Sequence, residues 1–150
     1  QIGGALKNIY AIAAGIAEGL NLGENAKSAL ISRSFAEMTR YAKKFKADKN
    51  TLFGLSGLGD LILTCSSKNS RNTQFGIKLA SSKYDNFLDL LKSQEVTEGY
   101  YTVKAVYNIS QKKNIDMPIM ESVYNILYKQ HDLKEELSNL LSRPITEEKI

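Results

Sequence analysis

The stretch ENAKSALISRSFAEMTRYAKKF, residues 24–45, decides the fold class. Its apolar residues Ala26, Leu30, Phe35, Met38, Tyr41 and Phe45 recur at helical spacing, while Lys27, Arg33, Glu37 and Lys44 fall on the other faces. That is the pattern of an amphipathic helix laid on a core. Upstream, Ala5–Leu20 is rich in Ala and Ile and poor in charge, which at this length predicts a helix buried on most sides and running through the domain centre. Downstream, apolar recurrence between polar breaks predicts helices over Ser70–Ser81, Asn86–Lys92, Gly99–Lys113, Ile119–Tyr128 and Leu133–Leu141. Pro118 and Pro144 are the only prolines and interrupt none of these segments; Pro118 suits a first helical turn, where its missing N–H costs nothing. No alternating segment competes as a strand, so the expected architecture is all-α, a compact domain of seven or eight helices.

With 150 residues, 43% of them hydrophobic, the chain can bury one substantial core without disulfides or metals. The apolar run Ile9–Ile16 is soon followed by Glu18 and Asn21, well short of the roughly 20 apolar residues of a membrane span, so no membrane insertion is expected. The first residue is Gln1 and no signal-peptide pattern follows, so the sequence reads as a piece of something longer. Cys65 is the only cysteine, which excludes an internal disulfide and fits a reducing compartment, the cytoplasm. The lone His131 lies far along the chain in a polar segment, a poor partner for a catalytic thiol and too little for a zinc site, so no metal is expected. The net charge of +4 permits anion binding in general. Pairs such as Lys43-Lys44 and Lys112-Lys113 are mixed with acidic residues, as on ordinary solvated helix faces, and do not indicate nucleic acid; a small phosphorylated substrate would satisfy the balance equally well.

Three places exceed what a helical scaffold requires. Lys7, in Gly3-Gly4-Ala5-Leu6-Lys7-Asn8, stands where the chain enters its most apolar helix; it reads either as a snorkelling lysine or as an ammonium at the mouth of a nonpolar site. In Gly57-Leu58-Gly59-Asp60-Leu61-Ile62-Leu63-Thr64-Cys65 the glycine spacing is wrong for a dinucleotide fingerprint, but Asp60 sits among apolar neighbours and needs a partner, unless it simply opens a helix. Ser66–Asn72 gathers hydroxyls, amides and a guanidinium before a new helix, which suits either an anion clamp or a capped loop. A lysine, a carboxylate and an anion clamp would together suit a phosphorylated alcohol or ketone.

At these residues the chain resembles the NAD(P)-dependent glycerol-3-phosphate dehydrogenases of bacterial type. Residues 3–8, residues 57–65, Ser70-Arg71-Asn72 and Val96-Thr97-Glu98-Gly99-Tyr100 match the family's pattern in order and spacing, and the likeness continues through Met117-Pro118-Ile119 and the Tyr-rich helix after it. The resemblance implies a helical domain like the C-terminal domain of 6-phosphogluconate dehydrogenase-like enzymes, over residues 1–150. It implies that Lys7 is the proton acceptor when glycerol 3-phosphate is oxidised and the donor when dihydroxyacetone phosphate is reduced. Asp60 would orient Lys7 and the substrate hydroxyls. Ser70, Arg71 and Asn72 would hold the phosphate, with Arg71 also near the cofactor and Thr64 assisting. Val96 and Glu98 would contact NAD or NADP, bound mainly by a preceding Rossmann-like domain that this chain lacks. It further implies a homodimer, a role in supplying phospholipid synthesis, and no activity for the chain alone. Two other readings are a β-hydroxyacid-type dehydrogenase domain, opposed by the Ser-Arg-Asn motif, and a basic interaction module, opposed by the scattered charges.

Overall fold

The computed structural model describes residues 2–46, 55–81, 89–90 and 98–143, and these form seven α-helices with no strand among them. They are α1 (Ile2–Gly19), α2 (Glu24–Lys44), α3 (Asp60–Ser66), α4 (Arg71–Ala80), α5 (Glu98–Lys113), α6 (Pro118–Lys129) and α7 (Leu133–Leu141). The all-α expectation holds, and most boundaries agree within a residue or two. Two helices differ. The π-helical turn Leu55–Gly59 leading into α3 was not foreseen. The helix expected over Asn86–Lys92 lies outside the described residues except for Asp89 and Leu90, which are helical.

The helix α1 is the axis of the domain, and α2, α3, α4, α5 and α6 all pack on it. Every residue from Ile9 to Ala17, Gly15 included, is buried, which requires an apolar sequence on all sides; the alanines let neighbours approach closely. The closest approach is to α4, where Gly15 lies on the backbone of Thr73 and Gly76 on that of Ile12, so a Cβ at either glycine would overlap a carbonyl oxygen. Because α1 begins at Ile2, Lys7 occupies its second turn rather than its entry.

Sharp turns connect the helices. Gly23, at φ +93, precedes α2, and Asn21, Asn114 and Gln130 adopt the left-handed conformation after α1, α5 and α6. Pro118 opens α6 and Asp132 caps α7 by accepting from Glu135 N at 2.9 Å. The tyrosines expected near α6 join it to α5: Tyr107 and Tyr124 stack with centroids 3.7 Å apart, and the Tyr128 hydroxyl donates to Tyr100 O at 2.7 Å.

One expectation about α2 is corrected. Arg33 and Glu37, placed off the apolar stripe by their spacing, are nevertheless buried and serve the ends of other helices. Arg33 donates to Leu140 O and Arg143 O, at the C-terminus of α7. The Glu37 carboxyl accepts from Ile119 N at 2.8 Å and Met120 N at 3.0 Å, the opening turn of α6. The Arg33 guanidinium thus meets the negative end of the α7 dipole, while the Glu37 carboxyl supplies acceptors to the free N–H groups that open α6. Helix α2 orients α6 and α7 through these contacts as well as through apolar packing. Burial dominates at Glu37 and raises its pKa to about 8, against the lowering pull of the two N–H groups and then of Arg40.

Candidate functional site

Fifty-three residues apart in sequence, Lys7 and Asp60 meet where the second turn of α1 faces the first residue of α3: Lys7 Nζ lies 2.7 Å from Asp60 Oδ2. The Lys7 side chain is 16% exposed and that of Asp60 54%, so a largely buried lysine meets a carboxylate open to solvent. Leu6 and Ile9 flank the lysine in sequence and are fully buried. Asp60 is thus both the helix opener and the partnered carboxylate anticipated from its sequence setting. Its neighbours differ from expectation, since Leu61 is buried but Ile62 and Leu63 are 44% and 68% exposed. With Tyr101, also exposed, they leave apolar side chains on the surface of α3 and α5.

The polar segment Ser67–Ser70 delivers the chain into α4. Ser70 is the N-cap, its hydroxyl accepting from Thr73 N at 3.3 Å. Helix geometry leaves the N–H groups of Arg71 and Asn72 without intrahelical acceptors, and the exposed Arg71 side chain stands beside them. Ion pairs from Glu18 to Lys68 and Lys27, at 3.4 and 3.5 Å, tie the segment to α1 and α2, and Gln74 Nε2 donates to Lys68 O. The capped-loop and anion-clamp readings are therefore compatible: the cap uses Ser70 and Thr73, while the donors at Arg71 and Asn72 remain. The Thr73 hydroxyl donates to Thr64 O at 3.4 Å, joining α4 to α3.

Asn72 does more than the sequence suggested. Its Oδ1 accepts from Gly99 N at 3.1 Å, linking the start of α4 to the start of α5. Glu98 is exposed as the first residue of α5, and Val96 lies outside the described residues. Gly99, within the Glu98-Gly99-Tyr100 motif, was passed over as a site residue. The available signal was a glycine near a helix start where no turn requires one.

Elsewhere, burial pushes the Cys65 thiol up to about 12, away from thiolate reactivity. His131 is spent on Glu136 at 2.9 Å. Among the described residues no group of three or more His, Cys, Asp or Glu could hold a metal ion, and no helix is long and apolar enough to cross a membrane.

Comparison with known proteins places this arrangement. Residues 1–138 match the family described as the NAD-dependent glycerol-3-phosphate dehydrogenase C-terminus. The glycerol-3-phosphate dehydrogenase [NAD(P)+] of Colwellia psychrerythraea is 46% identical over 143 residues, covering 95% of this chain and 42% of that protein. The enzyme of the same description from Brachyspira hyodysenteriae is 48% identical over 145 residues, covering 95% and 43%. The crystal structure of glycerol-3-phosphate dehydrogenase from Coxiella burnetii superposes with a TM-score of 0.88 at 40% identity, over 95% of this chain and 44% of that one. The yeast glycerol-3-phosphate dehydrogenase gives 0.80 at 28% identity, over 93% and 41%. The chain therefore spans less than half the length of these relatives. With the family model matched over nearly its whole length, it belongs to the NAD-dependent glycerol-3-phosphate dehydrogenases, as their C-terminal helical portion.

Proposed function

We propose that this chain is the substrate domain of an NAD(P)-dependent enzyme interconverting sn-glycerol 3-phosphate and dihydroxyacetone phosphate. The observation that carries the reading is the pairing of the largely buried Lys7 side chain with the exposed Asp60 at 2.7 Å. Oxidation of a secondary alcohol at C2 requires its hydroxyl proton to leave as the hydride departs, and Lys7 Nζ, as the neutral amine, receives that proton and becomes the ammonium paired with Asp60; in reduction the ammonium gives the proton to the carbonyl oxygen and returns to the amine. Asp60 orients the amine through one oxygen and offers the other to a substrate hydroxyl. The α4 N-terminus, with Ser70, Arg71 and Asn72, grips the phosphate, and Thr64 lines the path between the two groups. Holding the nonreacting phosphate fixes C2 for transfer.

Bound NAD or NADP would supply the hydride acceptor or donor. Arg71 and Glu98 suit its approach because both are exposed at helix starts joined by the Asn72–Gly99 hydrogen bond. The larger part of the cofactor site belongs to the nucleotide-binding region that precedes this portion in the relatives. The product alcohol phosphate would enter phospholipid synthesis, and the enzyme acts as a cytoplasmic homodimer.

The test is a reconstituted enzyme in which this chain replaces the matching segment of the Colwellia psychrerythraea relative. It should reduce dihydroxyacetone phosphate with NADH or NADPH. Dihydroxyacetone without its phosphate should be at least about 100-fold poorer in kcat/KM, the scale of several charge-assisted contacts. Equal use of the two ketones would overturn the phosphate clamp, and failure to use either would overturn the assignment.

A further inference from the structure

A primary amide has one oxygen to accept and two N–H groups to donate. At Asn72 the oxygen is committed to Gly99 N, while among the described residues Nδ2 has no acceptor. The Gly99 N–H belongs to the first turn of α5, where helix geometry provides no acceptor, so Asn72 caps α5 from a different helix. The contact is also close. Gly99 is buried, and a Cβ there would lie 2.5 Å from Asn72 Oδ1 and 2.6 Å from Ile12 Cδ1, on α1. A side chain at this position would push the Asn72 amide or the Ile12 methyl aside, so glycine leaves the amide oxygen where it meets the α5 N–H.

We propose that Gly99 is a positioning residue that, through Asn72, couples phosphate binding at the start of α4 to cofactor placement at the start of α5. This rests on the substrate reading above. Because Gly99 holds Asn72 Oδ1, the amide has a single orientation and its Nδ2 donors remain for the phosphate. When the phosphate takes those donors it immobilises Asn72, and with it the α5 turn that presents Glu98. Substrate and cofactor therefore tighten each other's binding, reciprocally and by one factor.

Three variants of the reconstituted enzyme separate the roles. Asn72→Asp keeps an acceptor for Gly99 N but sets an anion against the phosphate. Its KM for dihydroxyacetone phosphate should rise about tenfold or more, the worth of a charge-assisted hydrogen bond, with cofactor Kd within about twofold of the parent. Asn72→Ala should raise both constants, and Gly99→Ala should do the same without touching either ligand. The parent should show tightening of cofactor by glycerol 3-phosphate, and both Ala variants should abolish it. An unchanged cofactor Kd in Gly99→Ala, or equal cofactor loss in Asn72→Asp and Asn72→Ala, would overturn the coupling. Should Gly99→Ala fail to fold, the two Asn72 variants decide the matter alone.

Hydrogen exchange of the Gly99 amide in the 150-residue chain distinguishes this from failure of the substrate assignment. Protection in the parent and in Asn72→Asp, lost by roughly tenfold or more in Asn72→Ala, is expected whatever the substrate. Equal exchange in all three would remove the tether. Protection as expected in an enzyme that ignores dihydroxyacetone phosphate would instead overturn the substrate reading and the coupling built on it, leaving only a helix cap.

Discussion

Glu37→Gln tests whether a buried carboxyl on α2 sets the pH dependence of this fold. Burial raises Glu37 from an ordinary value of 4.5 to about 8, so between these limits the folded protein holds a proton that the unfolded chain has released. Stability must then fall as pH rises through that window and level off above about 8. At about 1.4 kcal/mol per pH unit, the interval from about pH 5 to pH 8 accounts for roughly 4 kcal/mol at most. Glutamine is neutral throughout and does not titrate. At about pH 5 it should cost about 1–2 kcal/mol, because its NH2 replaces one acceptor facing Ile119 N and Met120 N. By about pH 8 the order should reverse, with the variant more stable by roughly 2 kcal/mol. Urea unfolding followed by circular dichroism at several pH values gives both curves, and their difference cancels every other titrating group. A difference that stays flat between pH 5 and pH 8 would show that Glu37 keeps one charge state and that the reasoning from its burial is wrong.

Arg71→Lys keeps the charge but loses the planar fork, and should lower kcat/KM for dihydroxyacetone phosphate by about 2 kcal/mol in the reconstituted enzyme; parental kinetics would remove Arg71 from the clamp. Gly15→Ala forces a methyl onto the Thr73 carbonyl and should destabilise the chain by about 2 kcal/mol or more, read as a shift in the urea midpoint at constant slope. The 150-residue chain alone should give a helical circular dichroism spectrum yet no reduction of dihydroxyacetone phosphate; turnover by the pure chain would contradict the placement of the cofactor site outside it.

Much of the fold is legible because helical periodicity is a local signal: α2, α5, α6 and α7 follow from apolar spacing and from Pro118 and the polar breaks. Local signals also misplace residues. The Ala- and Ile-rich segment was read from Ala5, yet α1 begins at Ile2 and runs through Gly3 and Gly4, so that Lys7 stands in its second turn. The helix α3 was legible only as the reading that Asp60 opens a helix, with no apolar period long enough to give its extent. Spacing sets Arg33 and Glu37 off the apolar stripe of α2, and polarity in a single sequence cannot reveal that other helices end beside them. Lys7 and Asp60 were singled out by their apolar settings and the family pattern, but no periodicity shows that two residues 53 positions apart share an ion pair. The bond from Asn72 to Gly99 depends equally on two helices meeting, and only the unexplained glycine hinted at it.

Turnover of Lys7→Ala in the reconstituted enzyme, measured with melting temperature and cofactor Kd on the same preparation, tests the central claim most directly. Removing the proton acceptor should lower kcat by about 100-fold or more while the other two quantities stay near the parent's, since the carboxylate it leaves, Asp60, is 54% exposed and can be solvated. A folded variant that binds cofactor and turns over at close to the parental rate would contradict the assignment of proton transfer to Lys7.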